Sequence, residues 1–128
     1  MRRQSREMVF KYIFSKLFNC ENEGLFDVLS FELNDNDKAF AKDLLAVVEK
    51  DKDKNLKIIE EYLIGFKLDR ISKVDKCALL IGMAELDNFT ETPTAVVIDE
   101  AVSLCAKYST EKSTDFVNGV LARYLQNK

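Results

Sequence analysis

Three arginines, Arg2, Arg3 and Arg6, stand at the head of this 128-residue chain, and guanidinium forks match phosphate oxygens bidentately. At the start of a helix, positive side chains oppose the macrodipole and add nothing to local stability. Arg2 and Arg6 are spaced i, i+4 and Arg3 and Arg6 i, i+3, so each pair shares a face if the helix reaches that far. Two readings are open: a phosphate-contacting arm, or a basic terminus with no ligand. Residues 1–16 carry a net +4 within a chain whose total is −3, so the rest carries −7. Positive charge is gathered at one end, and the acidic remainder suits docking against a basic partner.

Aromatic side chains supply the second kind of nucleic-acid contact, stacking on bases that single-stranded RNA leaves exposed. Most of the 9 phenylalanines fall on helical stripes and belong to a core. Phe116 is the exception, because it opens the last helix, where Thr114, Asp115 and Asn118 offer hydrogen bonds beside it. Phe116 and Asn118 are therefore the candidates for base contact.

Catalytic chemistry is harder to assemble. The chain has no histidine, which removes the commonest general base and the commonest nitrogen ligand for zinc. It has no glycine-rich phosphate loop, no dinucleotide fingerprint and no EF-hand loop. Asp99 and Glu100 are adjacent, about 100° apart around a helix, and cannot face each other as an acid/base pair. Asp75 and Glu85 read as solvated or partner-facing. Cys20, Cys77 and Cys105 are odd in number, widely spaced and set among apolar residues, as buried free thiols in a reducing cytoplasm would be. No metal, cofactor or enzymatic activity is expected.

The elements that must position these residues are helical. Only 4 Gly and 1 Pro interrupt the sequence, no period-2 run is bounded by turn residues, and no apolar stretch approaches the roughly 20 residues of a membrane span. The basic start followed by apolar residues is broken by Glu7 and Lys11 and is read as mature protein, not a signal peptide. A first helix is expected over about Ser5–Cys20, with Val9, Ile13 and Leu17 on one row and Phe10, Phe14 and Phe18 on another. A short one follows at Leu25–Leu29. Asp35 or Asn36 caps a third, and the charged run EKDKDKN at 49–55 reads as a solvated junction before a fourth. Ser72 and Asp75 have capping-box spacing at the head of a central helix. Thr92 caps a sixth that begins at Pro93. Ser113 caps the last, where Gly119 sits mid-helix at a cost of about 1 kcal/mol against alanine and so suggests close helix packing. The expectation is an all-α single domain over 1–128 with about seven helices.

The order of these pieces is itself informative. RRQSREMVFKYIF at 2–14 resembles the opening R-R-x-x-R-E-x-x-x-x-x-L-[YF] of NusB proteins, and DRISKVDKCALLIGMAEL at 69–86 resembles their central helix. TPTAVVIDEAVSLCAKYSTEKSTDFVNGVLARY at 92–124 resembles their P-x-x-V-x-I-[ND]-E-A-[VI]-x-L-A-K-x-[YF] and S-x-x-F-V-N-G-V-L signature, FVNGVL at 116–121 being its most specific element. The resemblance implies two packed helical bundles. It also implies a cytoplasmic transcription antitermination factor that binds single-stranded boxA-type RNA together with a small-subunit ribosomal protein acting as NusE. Other Nus factors and RNA polymerase would be further partners, ribosomal RNA operons the target, and a homodimer one possible state. It places RNA contacts at Arg2, Arg3, Arg6 and Phe116, and puts Asp75 at an acidic position on the surface for the ribosomal protein. Leu80 and Ala84 stand where family members often carry arginine and tyrosine, Asp99 replaces a frequent asparagine, and Gln4 replaces one arginine of the arm. The thinned arm motivates an alternative, a protein-interaction scaffold of the same fold with little RNA affinity.

Overall fold

The computed structural model describes residues 2–17, 24–63, 71–109 and 111–128. They form six helices and no strand among the described residues: α1 (Arg2–Leu17), α2 (Leu25–Leu29), α3 (Asp35–Glu61), α4 (Lys73–Asn88), α5 (Thr94–Tyr108) and α6 (Glu111–Gln126). Helix α4 is the shared axis. It packs against α1 and α3 on one side and against α5 and α6 on the other, while α2 rests on α1. Eleven of its sixteen residues, Asp75 and Cys77–Leu86, are buried, as a helix enclosed on all sides requires. This gives the two bundles that the resemblance implies, joined through one central helix.

The third and fourth expected helices are a single 27-residue helix, α3, and the charged run lies in its middle. Glu, Lys and Asp without Gly or Pro do not break a helix, and Lys54 pairs with Asp51 one turn back. The buried stripe also runs straight through: Ala41, Leu44, Val48, Asn55, Ile59. Asn55 is fully buried and its side-chain amide makes no hydrogen bond, so a polar residue holds a core position and conceals the periodicity.

The caps differ from expectation in three places. Asn34, not Asp35 or Asn36, caps α3, accepting from the Asp37 N–H at 2.8 Å. Helix α5 has Pro93 itself as N-cap with no side-chain cap, and the Thr92 hydroxyl, one residue earlier, accepts from Arg2 at 3.3 Å. Ser113 lies inside α6 and pairs with the Ser109 hydroxyl at 2.9 Å. Ser72 behaves as expected and caps α4 through the Asp75 N–H at 3.1 Å. The α1 helix begins at Arg2, earlier than Ser5, so all three arginines are helical. Phe18 and Cys20 lie outside the described residues.

Close packing falls on a different glycine from the one expected. Gly119 is exposed, and a Cβ there would meet nothing within 4 Å. A Cβ on Gly82 would lie 2.9 Å from Leu121 Cδ1 and 3.4 Å from Ala101 Cβ. Gly82 is thus where α4 lets α5 and α6 approach.

Candidate nucleic-acid interface

The first turn of α1 contains no acidic residue, so the arginines there are held by other elements. Their fates differ. Arg6 turns inward: its Nε donates to Glu85 Oε1 at 2.7 Å, its Nη2 bonds the second carboxylate oxygen, and the two side chains are 6% and 1% exposed. This two-point pair ties α1 to α4 and directs the Arg6 guanidinium into the protein. Glu85 is correspondingly neither solvated nor partner-facing, which corrects the reading made from charge density alone. Ser5 secures the same turn, donating to the buried Asp37 carbonyl at 2.9 Å.

Arg2 and Arg3 point outward. The Arg2 guanidinium lies 4.4 Å from the centroid of the Phe40 ring, a cation–π contact, while an Nη donates to Thr92. Arg3 reaches across to α5, where Nε and Nη2 donate to Glu100 at 3.0–3.3 Å. That hydrogen bond, with the charge of Glu100, holds the Arg3 pKa above its ordinary value. One turn on, Glu7 accepts from Lys107 Nζ at 2.6 Å and from the Tyr108 hydroxyl. The Lys107 bond first and the Tyr108 bond second hold the Glu7 carboxyl below its usual range. Burial and the Glu7 bond push the Tyr108 phenol up to about 12. The Tyr108 ring stacks on Phe10 at 5.1 Å between centroids and remains partly exposed. Between α1 and α5, Arg3, Arg6, Glu7, Glu100 and Lys107 border a groove of about 260 Å³.

Phe116 is half-buried against the core, and Asn118 is exposed on α6. Helix α5 ends at Tyr108, which bonds Glu7, and its cap, Ser109, bonds Ser113 one turn before Phe116. Arg3, Lys107 and Tyr108 are thus linked across α1 and α5 through Glu100 and Glu7, Arg2 sits on Phe40 and Thr92, and Arg6 is paired inside with Glu85. Lys107, Tyr108, Glu100 and Phe40 were not legible as site residues, since each acts through a contact far away in sequence. Glu100 and Tyr108 had one signal, their places at the E and [YF] positions of the signature, whereas Lys107 falls on its unspecified position.

Asp75 is 7% exposed, and its carboxylate faces the Cys105 thiol at 3.8 Å. It does not present a free carboxylate to a partner. Burial pushes Cys77 and Cys105 up to about 12, Asp75 adding to the effect at Cys105. Both are free, buried thiols, as expected. Among the described residues, no group of His, Cys, Asp and Glu could hold a metal ion.

Residues 3–126 match the profile of the NusB family. The chain belongs to the NusB family. It is 35% identical over 130 residues to the transcription antitermination protein NusB of Clostridium botulinum, covering 98% of each chain. A chain in the crystal structure of the antitermination factors NusB and NusE in complex with dsRNA superposes with a TM-score of 0.87 at 30% identity, covering 99% of this chain and 97% of that one. The T. maritima NusB structure superposes with a TM-score of 0.84 at 31% identity, covering 96% and 89%. The all-α NusB architecture anticipated from the motifs is thus the one observed, with α3 continuous where two helices were expected.

Proposed function

We propose that this NusB-family chain, acting as a single domain, is a cytoplasmic transcription antitermination factor that binds boxA-type RNA together with the ribosomal protein NusE. Its work is binding, not turnover. The observation that carries this reading is the outward pair Arg2 and Arg3, helical from the first described residue and held at the surface by Phe40, Thr92 and Glu100. Arginines at a helix N-terminus gain nothing from the dipole, and phosphate is the ligand that their forks fit. The kinship to a NusB solved with NusE and dsRNA supports the same partners.

In this reading Arg2 and Arg3 hold phosphates, Phe116 stacks on a base and Asn118 bonds its edge. Arg6, expected from the sequence as a third phosphate ligand, serves as a positioning residue that fixes the arm on α4. Asp75 likewise supports the ribosomal-protein surface indirectly, by joining the start of α4 to Cys105 of α5. Assembly with other Nus factors and RNA polymerase on ribosomal RNA operons follows from the same role, and a homodimer of the free protein is compatible with it. No helix among the described residues is long and apolar enough to cross a membrane.

The test is fluorescence anisotropy of a boxA-containing RNA at two salt concentrations, with and without the cognate ribosomal protein, for wild type and an Arg2→Glu/Arg3→Glu variant. Partner-enhanced, salt-sensitive binding that collapses in the variant, with partner binding retained, is the expected result. Intact partner binding with no RNA binding by the wild type would instead favour the scaffold reading, which the burial of Arg6 and the pairing of Arg3 with Glu100 motivate.

A further inference from the structure

The two exposed cations that border the α1–α5 groove are both closed by carboxylates of the same protein: Arg3 by Glu100 and Lys107 by Glu7. The Arg3 contact is a fork, with Nε donating to Oε1 and Oε2 at 3.3 and 3.1 Å and Nη2 to Oε1 at 3.0 Å. This is the edge a phosphate would take. The two partners are unequally held. Glu100 is 15% exposed, set into α5, whereas Arg3 is 68% exposed at the end of α1. The carboxylate is the fixed member and the guanidinium the one that can leave.

We propose that Glu100 is an internal stand-in for phosphate: it occupies the Arg3 fork in the free protein and yields it to an RNA backbone phosphate on binding. The inference rests on the RNA-binding reading above and adds to it a residue that sets affinity without contacting RNA. Each exchange trades one ion pair for another, so the gain is small. The anionic Glu100 left behind then repels the phosphate that replaced it. Ligands with a single weak phosphate contact are rejected, and an RNA positioned by a partner protein is favoured.

Glu100→Gln keeps the shape and the acceptor oxygen and removes the charge. Since exposed ion pairs are worth little, the expected effect on RNA binding at physiological salt is a tightening of about two- to fivefold. Arg3 takes one phosphate in both proteins, so the slope of log K against log salt should change by less than the roughly 0.7 of one single-strand phosphate contact. Two controls define the source. Asp99→Asn makes the same charge change at the neighbouring exposed position of α5, and Arg3→Gln removes the exchanged partner.

Binding is read by anisotropy of the boxA RNA with the ribosomal protein present, after circular dichroism has shown each variant folded. Tightening in Glu100→Gln, smaller in Asp99→Asn and absent when Arg3→Gln is combined with it, is the expected pattern. Unchanged or weaker binding by Glu100→Gln overturns the inference while wild-type binding stands, and so does an equal effect of Asp99→Asn. If neither wild type nor Glu100→Gln binds RNA at any salt concentration, the RNA reading falls and the inference with it.

Discussion

Replacing Glu85 by leucine leaves the Arg6 guanidinium in the interior with its carboxylate gone. Both partners are almost fully enclosed, at 6% and 1% exposure, and the pair is made by two parallel hydrogen bonds. Attraction and desolvation nearly cancel in an intact buried pair, but a stranded charge keeps the whole desolvation penalty, so Glu85→Leu should cost about 3–5 kcal/mol. Against a total stability of about 5–15 kcal/mol, that is a large share. With a urea dependence of about 1–3 kcal/mol per molar, the unfolding midpoint falls by roughly 2 M. Far-UV circular dichroism in urea measures it. The double variant Arg6→Met/Glu85→Leu removes both charges and keeps comparable volume, and should recover to within about 1 kcal/mol of wild type. A single variant within 1 kcal/mol of wild type, or a double variant no better than the single, refutes the reasoning. The same double variant also tests the role of Arg6. If Arg6 only positions the arm, RNA affinity stays within about twofold of wild type, whereas a loss on the scale of the Arg2→Glu/Arg3→Glu variant restores Arg6 to the RNA surface.

Gly119→Ala should stabilise the protein by about 0.5–1 kcal/mol, since its Cβ enters open space, while Gly82→Ala should be the less stable of the two by at least about 1 kcal/mol because buried Leu121 must move; thermal melts compare them. Asn55→Leu removes a buried amide with no hydrogen-bond partner and should raise stability by about 1–3 kcal/mol, and a lower urea midpoint would show that the amide serves a contact. Cys77 and Cys105, held protonated up to about 12, should resist iodoacetamide at pH 8 in the native state and react on unfolding, as read by mass spectrometry. Glu7 has a folded pKa below its ordinary 4.5, so its contribution is present above that pH and lost as pH falls through the folded value. Glu7→Gln should therefore separate from wild type in stability above pH 4.5 and converge with it in stronger acid; a constant gap would show that the Lys107 and Tyr108 bonds do not depend on the charge.

Much of the architecture could be read from particular residues. Ser72 capping the Asp75 N–H and the apolar crowding of Cys77–Leu86 both follow from short-range pattern, and both appear where that pattern puts them. The break expected at 49–55 does not appear, because a charged run is not by itself a helix boundary. Charged residues without Gly or Pro support a helix, and the stripe that proved its continuity passed through Asn55, a residue no periodicity count scores as core. Thr92 was a sound local cap candidate, but Pro93 holds the cap position and the Thr92 hydroxyl accepts from Arg2, a residue ninety positions away. Gly119 looked like a packing glycine from its mid-helix position, yet only the placement of α5 and α6 shows that Gly82 is the one a side chain would crowd.

The sequence by itself determined the helical class, the concentration of cations at the amino terminus, the lack of histidine chemistry and the family, since composition, period and motif are local properties of the chain. What only the tertiary structure decided is which of three neighbouring arginines is available to a ligand. Arg2, Arg3 and Arg6 share a helix and a charge, but a helix turns each side chain to a different neighbour. The neighbours, Phe40 on α3, Glu100 on α5 and Glu85 on α4, come together only when the bundles pack. An ion pair's burial, and with it whether a cation is a strut or a hand, belongs to the packed fold and to no segment of the sequence.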